Sequence, residues 1–392
     1  MNKQQFVSSV PRAAYVHIPF CRRRCFYCDF PISVVGDKQR GETSATISRY
    51  VEVLCREIAQ KPVQSQPLQT IFFGGGTPSL LSTEQLQRII ATLEERFGIS
   101  PDVEMSMEID PGTFDIEHIK GYKGAGVNRF SFGVQAFQEE LLRLCGRAHT
   151  VSDIYAAADL IHFVKVPEFS IDLISGLPNQ TLEMWQESLE KAIFLAPTHI
   201  SIYDLTIEPG TAFGRYYQPG DKPLPTDETT VQMYRMAQKI LTGADFLHYE
   251  ISNYALPGHQ CRHNRVYWEN RAYYGFGMGA ASYVEGKRFT RPRKTKEYYA
   301  WVEAGAVIDC EVTPPSEVLL DTLMLGLRLA EGVSLDKIKQ EFGSDKEEEI
   351  LKVLKPYINQ GWVVVEAGKL RLTDPEGFLF SNVVLASLFE KL

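Results

Sequence analysis

The stretch His17–Pro31, HIPFCRRRCFYCDFP, places Cys21, Cys25 and Cys28 within eight residues. It follows directly on AAYVHIPF, an apolar run with the length and composition of a buried strand. Only seven cysteines occur in 392 residues, so three clustered thiols point to a metal or redox site rather than to a disulfide framework. A closed zinc site requires a fourth ligand, and no second cysteine pair of suitable spacing follows. A thioredoxin-like dithiol uses Cys25 and Cys28 and leaves Cys21 unexplained. Three thiolates on one loop can instead hold three irons of a cubane cluster and leave the fourth iron open to a substrate.

Outward from this loop, strand-like and helix-like segments alternate. LQTIFFGG is followed by STEQLQRIIATLEERFG, where Ser82 and Glu84 suit a helix start, and VEMSMEID by DIEHIKGYKGAG. RFSFGVQ, EFSIDLISG and HISIYDLTI continue the series to Ile207. Six such β-α units predict an α/β fold with a parallel sheet and helical crossovers. They are too few for an eightfold barrel, so the expectation is a partial, open (β/α)6 TIM-like barrel with function at the strand C-termini. The cysteine loop and the FGGGTP, EIDPG, GVQ and DLISG segments all fall there.

Residues 208–228 form a Gly- and Pro-rich loop, and residues 247–285 are irregular, aromatic and glycine-rich. From about Thr295 the pattern turns mostly helical and closes on WVVVEAGKLRLT, a hairpin across Ala367-Gly368, and a last helix. The expected division is a barrel over 1–294 and a smaller, mostly helical, winged-helix-like domain over 295–392. The last helix, FLFSNVVLASLF, fits a lid over that domain's core better than a docking face.

Forty-one basic against 49 acidic residues give a net charge of −8, which argues against nucleic acid as a partner. The first residues, MNKQQFVSSVPRAA, lack a signal-peptide core, and no window nears the roughly 18 apolar residues of a membrane span. With cysteines used as thiols, a cytoplasmic protein is expected. Cys55, Cys145 and Cys310 suit small core positions.

The C-x-x-x-C-x-x-C spacing behind a first strand, with Tyr27 just before the third cysteine, resembles the radical S-adenosylmethionine (SAM) superfamily. The resemblance implies a 4Fe–4S cluster on Cys21, Cys25 and Cys28 whose open iron chelates SAM, and reductive cleavage of SAM to a 5′-deoxyadenosyl radical. FGGGTP then implies contacts to SAM from Gly75, Gly76 and Thr77, since consecutive glycines let a backbone approach a ligand closely. Glu108 matches the position that binds the SAM ribose; by itself an acidic strand end serves equally as a helix cap.

YVHIPFC, GGGTP, GVQAF, Arg147 and IDLISGLPNQT narrow the resemblance to oxygen-independent coproporphyrinogen III oxidase and its relatives, over nearly the whole chain. There Tyr15 touches the first SAM, and Gln135, Arg147 and Asp172 touch a second. Without the resemblance, Arg147 and Asp172 read equally well as an ion pair between barrel ends. Two features depart from the oxidase. Phe30 stands where it has a fourth cysteine, and the N-terminal extension is short.

Both departures match the HemW-type heme chaperones, as does CRHNRVYW, whose H-N-x-x-Y-W motif implies heme binding by His263, Asn264, Tyr267 and Trp268. Imidazole is a common axial ligand of heme iron and flat rings pack on a porphyrin. Cys261 is a candidate auxiliary thiolate, and a plain hydrogen-bonded loop under the barrel is the simpler alternative. The implied function is heme uptake and delivery to acceptor apo-haemoproteins, respiratory and membrane-associated ones among them. The alternatives are oxidative decarboxylation of coproporphyrinogen III and another radical SAM reaction such as methyl transfer. Whether the chain is an enzyme stays open at this stage.

Overall fold

The computed structural model describes residues 10–37 and 39–392. The first nine residues, most of the stretch weighed above as a leader, lie outside them.

The predicted alternation folds into one nine-stranded sheet. Ala13–Ile18, Leu68–Gly75, Ile99–Ile109, Arg129–Gln135, Glu168–Ser175 and His199–Asp204 run parallel, each beside its predecessor. Such pairing requires crossovers, and helices supply them. Ala45–Ala59 starts on a Ser44 cap, Thr83–Phe97 on a capping box of Ser82 and Gln85, and Val151–Val164 on one of Thr150 and Asp153. Their apolar faces meet the outer face of the sheet in the main core, where Tyr50, Leu54, Ile89, Leu93 and Trp185 are fully buried.

Side chains on the inner face of six strands line a single internal chamber. They include Tyr15, Phe72, Glu108, Ser131, Asp172 and Tyr203. The sheet therefore curls around a lumen without closing: its edge strands, Tyr274–Phe276 and Leu247–Glu250, do not pair with each other.

Two departures from expectation concern the region read as irregular. Tyr274–Phe276 pairs in parallel with the first strand, in register Ala14 to Tyr274, and is a seventh parallel strand. Asn253–Ala255 pairs antiparallel with the sixth strand and carries Leu247–Glu250 at the other edge. Three-residue strands in a Gly- and Tyr-rich context carry no periodicity to read.

Beyond residue 313, Pro315–Gly326, Leu335–Phe342 and Ser344–Asn359 pack on a three-stranded sheet of Val333–Ser334, Lys369–Leu372 and Val363–Glu366. The hairpin turns at Ala367 and Gly368, both at positive φ. The last helix, Ser381–Lys391, buries Val384, Leu385 and Leu388 in this second core, as a covering helix does. Tyr298 and Val302 lie in the main core, so packing assigns Thr295–Glu303 to the barrel rather than to the C-terminal unit.

Candidate functional site

The C-terminal ends of the strands surround a cavity of about 420 Å3. Cys21, Cys25 and Cys28 line one side; Gly75, Gly76, Thr77, Glu108, Gln135, Arg147 and Asp172 line the rest, together with Tyr27. Eleven of the sixteen site residues singled out in the sequence thus converge on one space, although they span more than 150 positions of chain.

Local chemistry explains why they stand there. Gly75 has φ +112, and a Cβ on it would lie 2.3 Å from the His17 ring; one on Gly76 would lie 2.6 Å from Phe20 O. The glycines are thus required by close packing on the first strand as well as by access to a ligand. Glu108 accepts a 2.9 Å hydrogen bond at Oε2 from Gly75 N–H, and burial pushes its pKa up to about 7. Gln135 occupies φ 70 where the register slips between the fourth and fifth strands, a bulge that turns it toward the cavity.

Arg147 and Asp172 do not pair. Arg147 Nη2 bonds to Asp110 Oδ1 and, at 2.6 Å, to Gly133 O; Nη1 donates to Cys25 Sγ at 3.4 Å and to Tyr27 OH at 3.3 Å. Asp172 instead accepts from Ser131 Oγ at 2.8 and 3.0 Å and from Ser170 Oγ at 3.3 Å, and burial raises its pKa. Buried carboxylates need a partner or a proton. Asp110 has Arg147 and stays below the usual range despite its burial, whereas the hydrogen bonds to Asp172 come from hydroxyls and burial outweighs them and the charge of Arg129.

Thr77 Oγ1 lies 3.7 Å from Cys21 Sγ, and burial pushes the Cys21 thiol up to about 12 and raises that of Cys28. The bare Cys21 thiol is therefore protonated at neutral pH, and ligation would release its proton. Among the described residues no three His, Cys, Asp or Glu side chains gather tightly enough for a single metal ion.

The lumen continues below as a chamber of about 220 Å3, sharing Glu108, Ser131, Asp172, Tyr203 and Phe30 with the upper cavity. Tyr15 faces this lower chamber, not the upper one, and shares a 3.0 Å hydrogen bond with His17 Nδ1. The floor is the helix Arg262–Trp268. His263, Asn264 and Tyr267 line the chamber; Trp268 does not, and the Arg328 guanidinium lies over its ring at 5.7 Å.

His263 is completely buried: Nδ1 bonds to Thr70 Oγ1 at 2.9 Å, Nε2 to Tyr267 OH at 2.8 Å, and its ring stacks on Phe72 at 5.3 Å. Burial lowers its pKa to about 3. Neither nitrogen has a lone pair or proton directed at open space, so this imidazole does not meet a heme iron in this arrangement. Cys261 is likewise buried, with Sγ donating to Glu104 Oε1 at 3.6 Å and its thiol pushed up to about 12 by burial.

Residues 15–192 match the Radical SAM superfamily model, and residues 313–380 match the HemN C-terminal domain. A curated relative from Synechocystis, named heme chaperone HemW, is 48% identical over 98% of this chain and 97% of its own length. The chain belongs to the HemW branch of the radical SAM superfamily. A HemW from Escherichia coli is 34% identical over 96% of this HemW-type chain and 97% of its own. The solved coproporphyrinogen III oxidase (HemN) of Escherichia coli shares the fold, with a TM-score of 0.83 over 98% of this chain and 91% of that one, at 24% identity. The superfamily implies a 4Fe–4S cluster and SAM, and a thiol-lined cavity with close-packed glycines and buried acids fits both.

Among the residues of the upper cavity that sequence reasoning passed over are Asp110, Ser131, Tyr203 and Asp204. Asp110 carried a signal, an acid at a strand end directly before Pro-Gly. Thr206, just beyond the sixth strand, also lines it.

Proposed function

We propose that this chain is a heme chaperone. It binds heme, transfers it to acceptor haemoproteins, and holds a SAM-ligated 4Fe–4S cluster on Cys21, Cys25 and Cys28. Gly75, Gly76 and Thr77 face the methionine part of SAM and Glu108 its ribose. Gln135, Arg147 and Asp172 stand where a second SAM fits, and Tyr27 lines the same cavity. The cluster, when bound, supplies one-electron chemistry at the sulfonium of SAM. Arg147 Nη1 lies 3.4 Å from Cys25 Sγ, and pairing with Asp110 keeps the guanidinium in place.

The 48% identity to a curated heme chaperone HemW over 98% of this chain, against 24% to the solved coproporphyrinogen III oxidase, supports this reading over a porphyrinogen oxidase, as does Phe30 where the oxidase has a fourth cysteine. The described cysteines are all free, which suits a reducing, cytoplasmic setting. No described helix is long and apolar enough to cross a membrane, so membrane-bound acceptors would be met from outside the bilayer.

The test pairs two assays on anaerobically reconstituted protein: heme titration by absorbance, and coproporphyrinogen turnover with SAM and a reductant. Stoichiometric heme uptake without porphyrinogen product is expected. Robust protoporphyrinogen formation sinks the reading.

A further inference from the structure

The buried His263 leaves open where heme would sit, and the outer face of the cysteine loop offers a place. Phe26, Leu144, Phe213, Tyr216 and Tyr217 line an open groove of about 490 Å3, together with Arg143 and Glu140. Phe26 is 41% and Tyr216 71% exposed, a concentration of large aromatics at a surface that marks a binding face. The rings form a connected set: Phe26 to Phe213 at 6.3 Å, Phe213 to Tyr217 at 5.3 Å and Tyr217 to Tyr216 at 6.5 Å.

The backbone fastens this groove to the cluster loop. Phe26 N–H donates to Cys145 O at 2.9 Å, and Phe213 N–H donates to Phe26 O at 2.8 Å. Gly146, at φ +72, lets the Phe26 ring lie where a Cβ would be 2.9 Å away.

The chemistry of the groove selects its guest. Arg143 donates through Nε to Glu139 O at 3.2 Å and has no carboxylate partner among the described residues. Its guanidinium is therefore available to a ligand carboxylate. Glu140 beside it opposes a polyanion. Tyr216 OH has no hydrogen-bond partner among the described residues, and tyrosinate is an established axial ligand type for heme iron. An apolar disc with carboxylate arms and a ferric centre uses the rings, the guanidinium and the phenol at once. The volume falls within the usual range of about 300–1,000 Å3, unlike the lower chamber.

We propose that heme docks in this groove, its porphyrin against the Phe26–Phe213–Tyr217 rings, a propionate on Arg143 and the iron on Tyr216, whose phenol releases its proton to solvent. This rests on the chaperone reading and places its cargo site. The motif around His263 then forms the floor of the barrel.

The test is ferric-heme titration of the cluster-loaded protein and of Tyr216→Ser, Tyr216→Phe, Arg143→Glu and His263→Ala. Exposed positions 216 and 143 leave the fold and the cluster absorbance unchanged. Tyr216→Ser combined with Arg143→Glu is expected to weaken heme binding at least about tenfold, as loss of an aromatic or arginine anchor does. Tyr216→Phe is expected to remove the tyrosinate signature from the visible and EPR spectra, and His263→Ala to bind like wild type. Wild-type affinity in the Tyr216→Ser/Arg143→Glu protein, or an unchanged spectrum in Tyr216→Phe, overturns the assignment. If the wild type takes up no heme at all, the chaperone reading fails and the groove proposal falls with it.

Discussion

Glu108→Gln is expected to stabilise the protein above neutral pH while weakening its hold on SAM. Burial, with a smaller contribution from the charge of Asp172, raises the Glu108 pKa from 4.5 to about 7, against the lowering effect of the Gly75 N–H bond. For an acid whose native pKa is raised, the native state keeps its proton where the unfolded chain has lost it. Stability is therefore full below about pH 4.5, declines as the pH rises, and reaches its floor above about 7. A gap of about 2.5 units at about 1.4 kcal/mol per unit makes that loss on the order of 3 kcal/mol. Glutamine carries no charge, yet its side-chain oxygen can still accept from Gly75 N–H. Urea unfolding of the cofactor-free protein at about pH 5 and about pH 8 should show the variant gaining about 2.5 kcal/mol on the wild type between the two. Calorimetric titration of the cluster-loaded protein should show weaker SAM binding. A stability gain that is flat with pH, or a variant less stable than wild type at pH 8, refutes the reasoning.

Asp110→Asn leaves Arg147 buried with only carbonyl, thiol and phenol partners, and should cost about 3 kcal/mol by urea unfolding. The Asp110→Asn/Arg147→Met double variant should be less destabilised than the sum of the singles by at least about 1 kcal/mol, and additive costs would deny the coupling. Gly75→Ala combines positive φ with a Cβ 2.3 Å from the His17 ring, and should lower the thermal midpoint together with cluster occupancy read by absorbance. His263, lowered to about 3 by burial, gives stability that is complete above about pH 6.5 and drains away as the pH falls toward 3. His263→Asn should flatten that acid slope in unfolding curves. Cys21→Ala, Cys25→Ala and Cys28→Ala should each remove iron–sulfur absorbance, and any one that retains a full cluster ends the ligand assignment.

The barrel was legible because its strands are apolar, end in turn residues and precede helices with readable caps such as Ser82 and Thr150. Gly75, Gly76, Thr77 and Glu108 were legible because strand-end loops collect at one mouth. What stayed hidden depends on partners distant in sequence. That Arg147 bonds to Asp110, 37 residues away, and not to Asp172 is a contact between distant segments, which no local pattern encodes. Tyr274–Phe276 has too few residues to show a period, and its strand character comes from the open edge of Ala13–Ile18. His263 sits in a motif with obvious ligand chemistry, but only the packed structure shows both ring nitrogens spent on Thr70 and Tyr267.

The pairing of Tyr274–Phe276 with Ala13–Ile18 also sets a timetable. During synthesis the strand leading to the cysteines emerges first, yet one of its flanks has no neighbour until some 260 residues later. Until then a row of free amides and carbonyls, part of a mostly apolar strand, is open to pairing with other chains. A nascent or truncated product ending before Tyr274 is therefore the aggregation-prone form of this protein, and residue 276 marks the earliest point at which the first strand is covered on both sides.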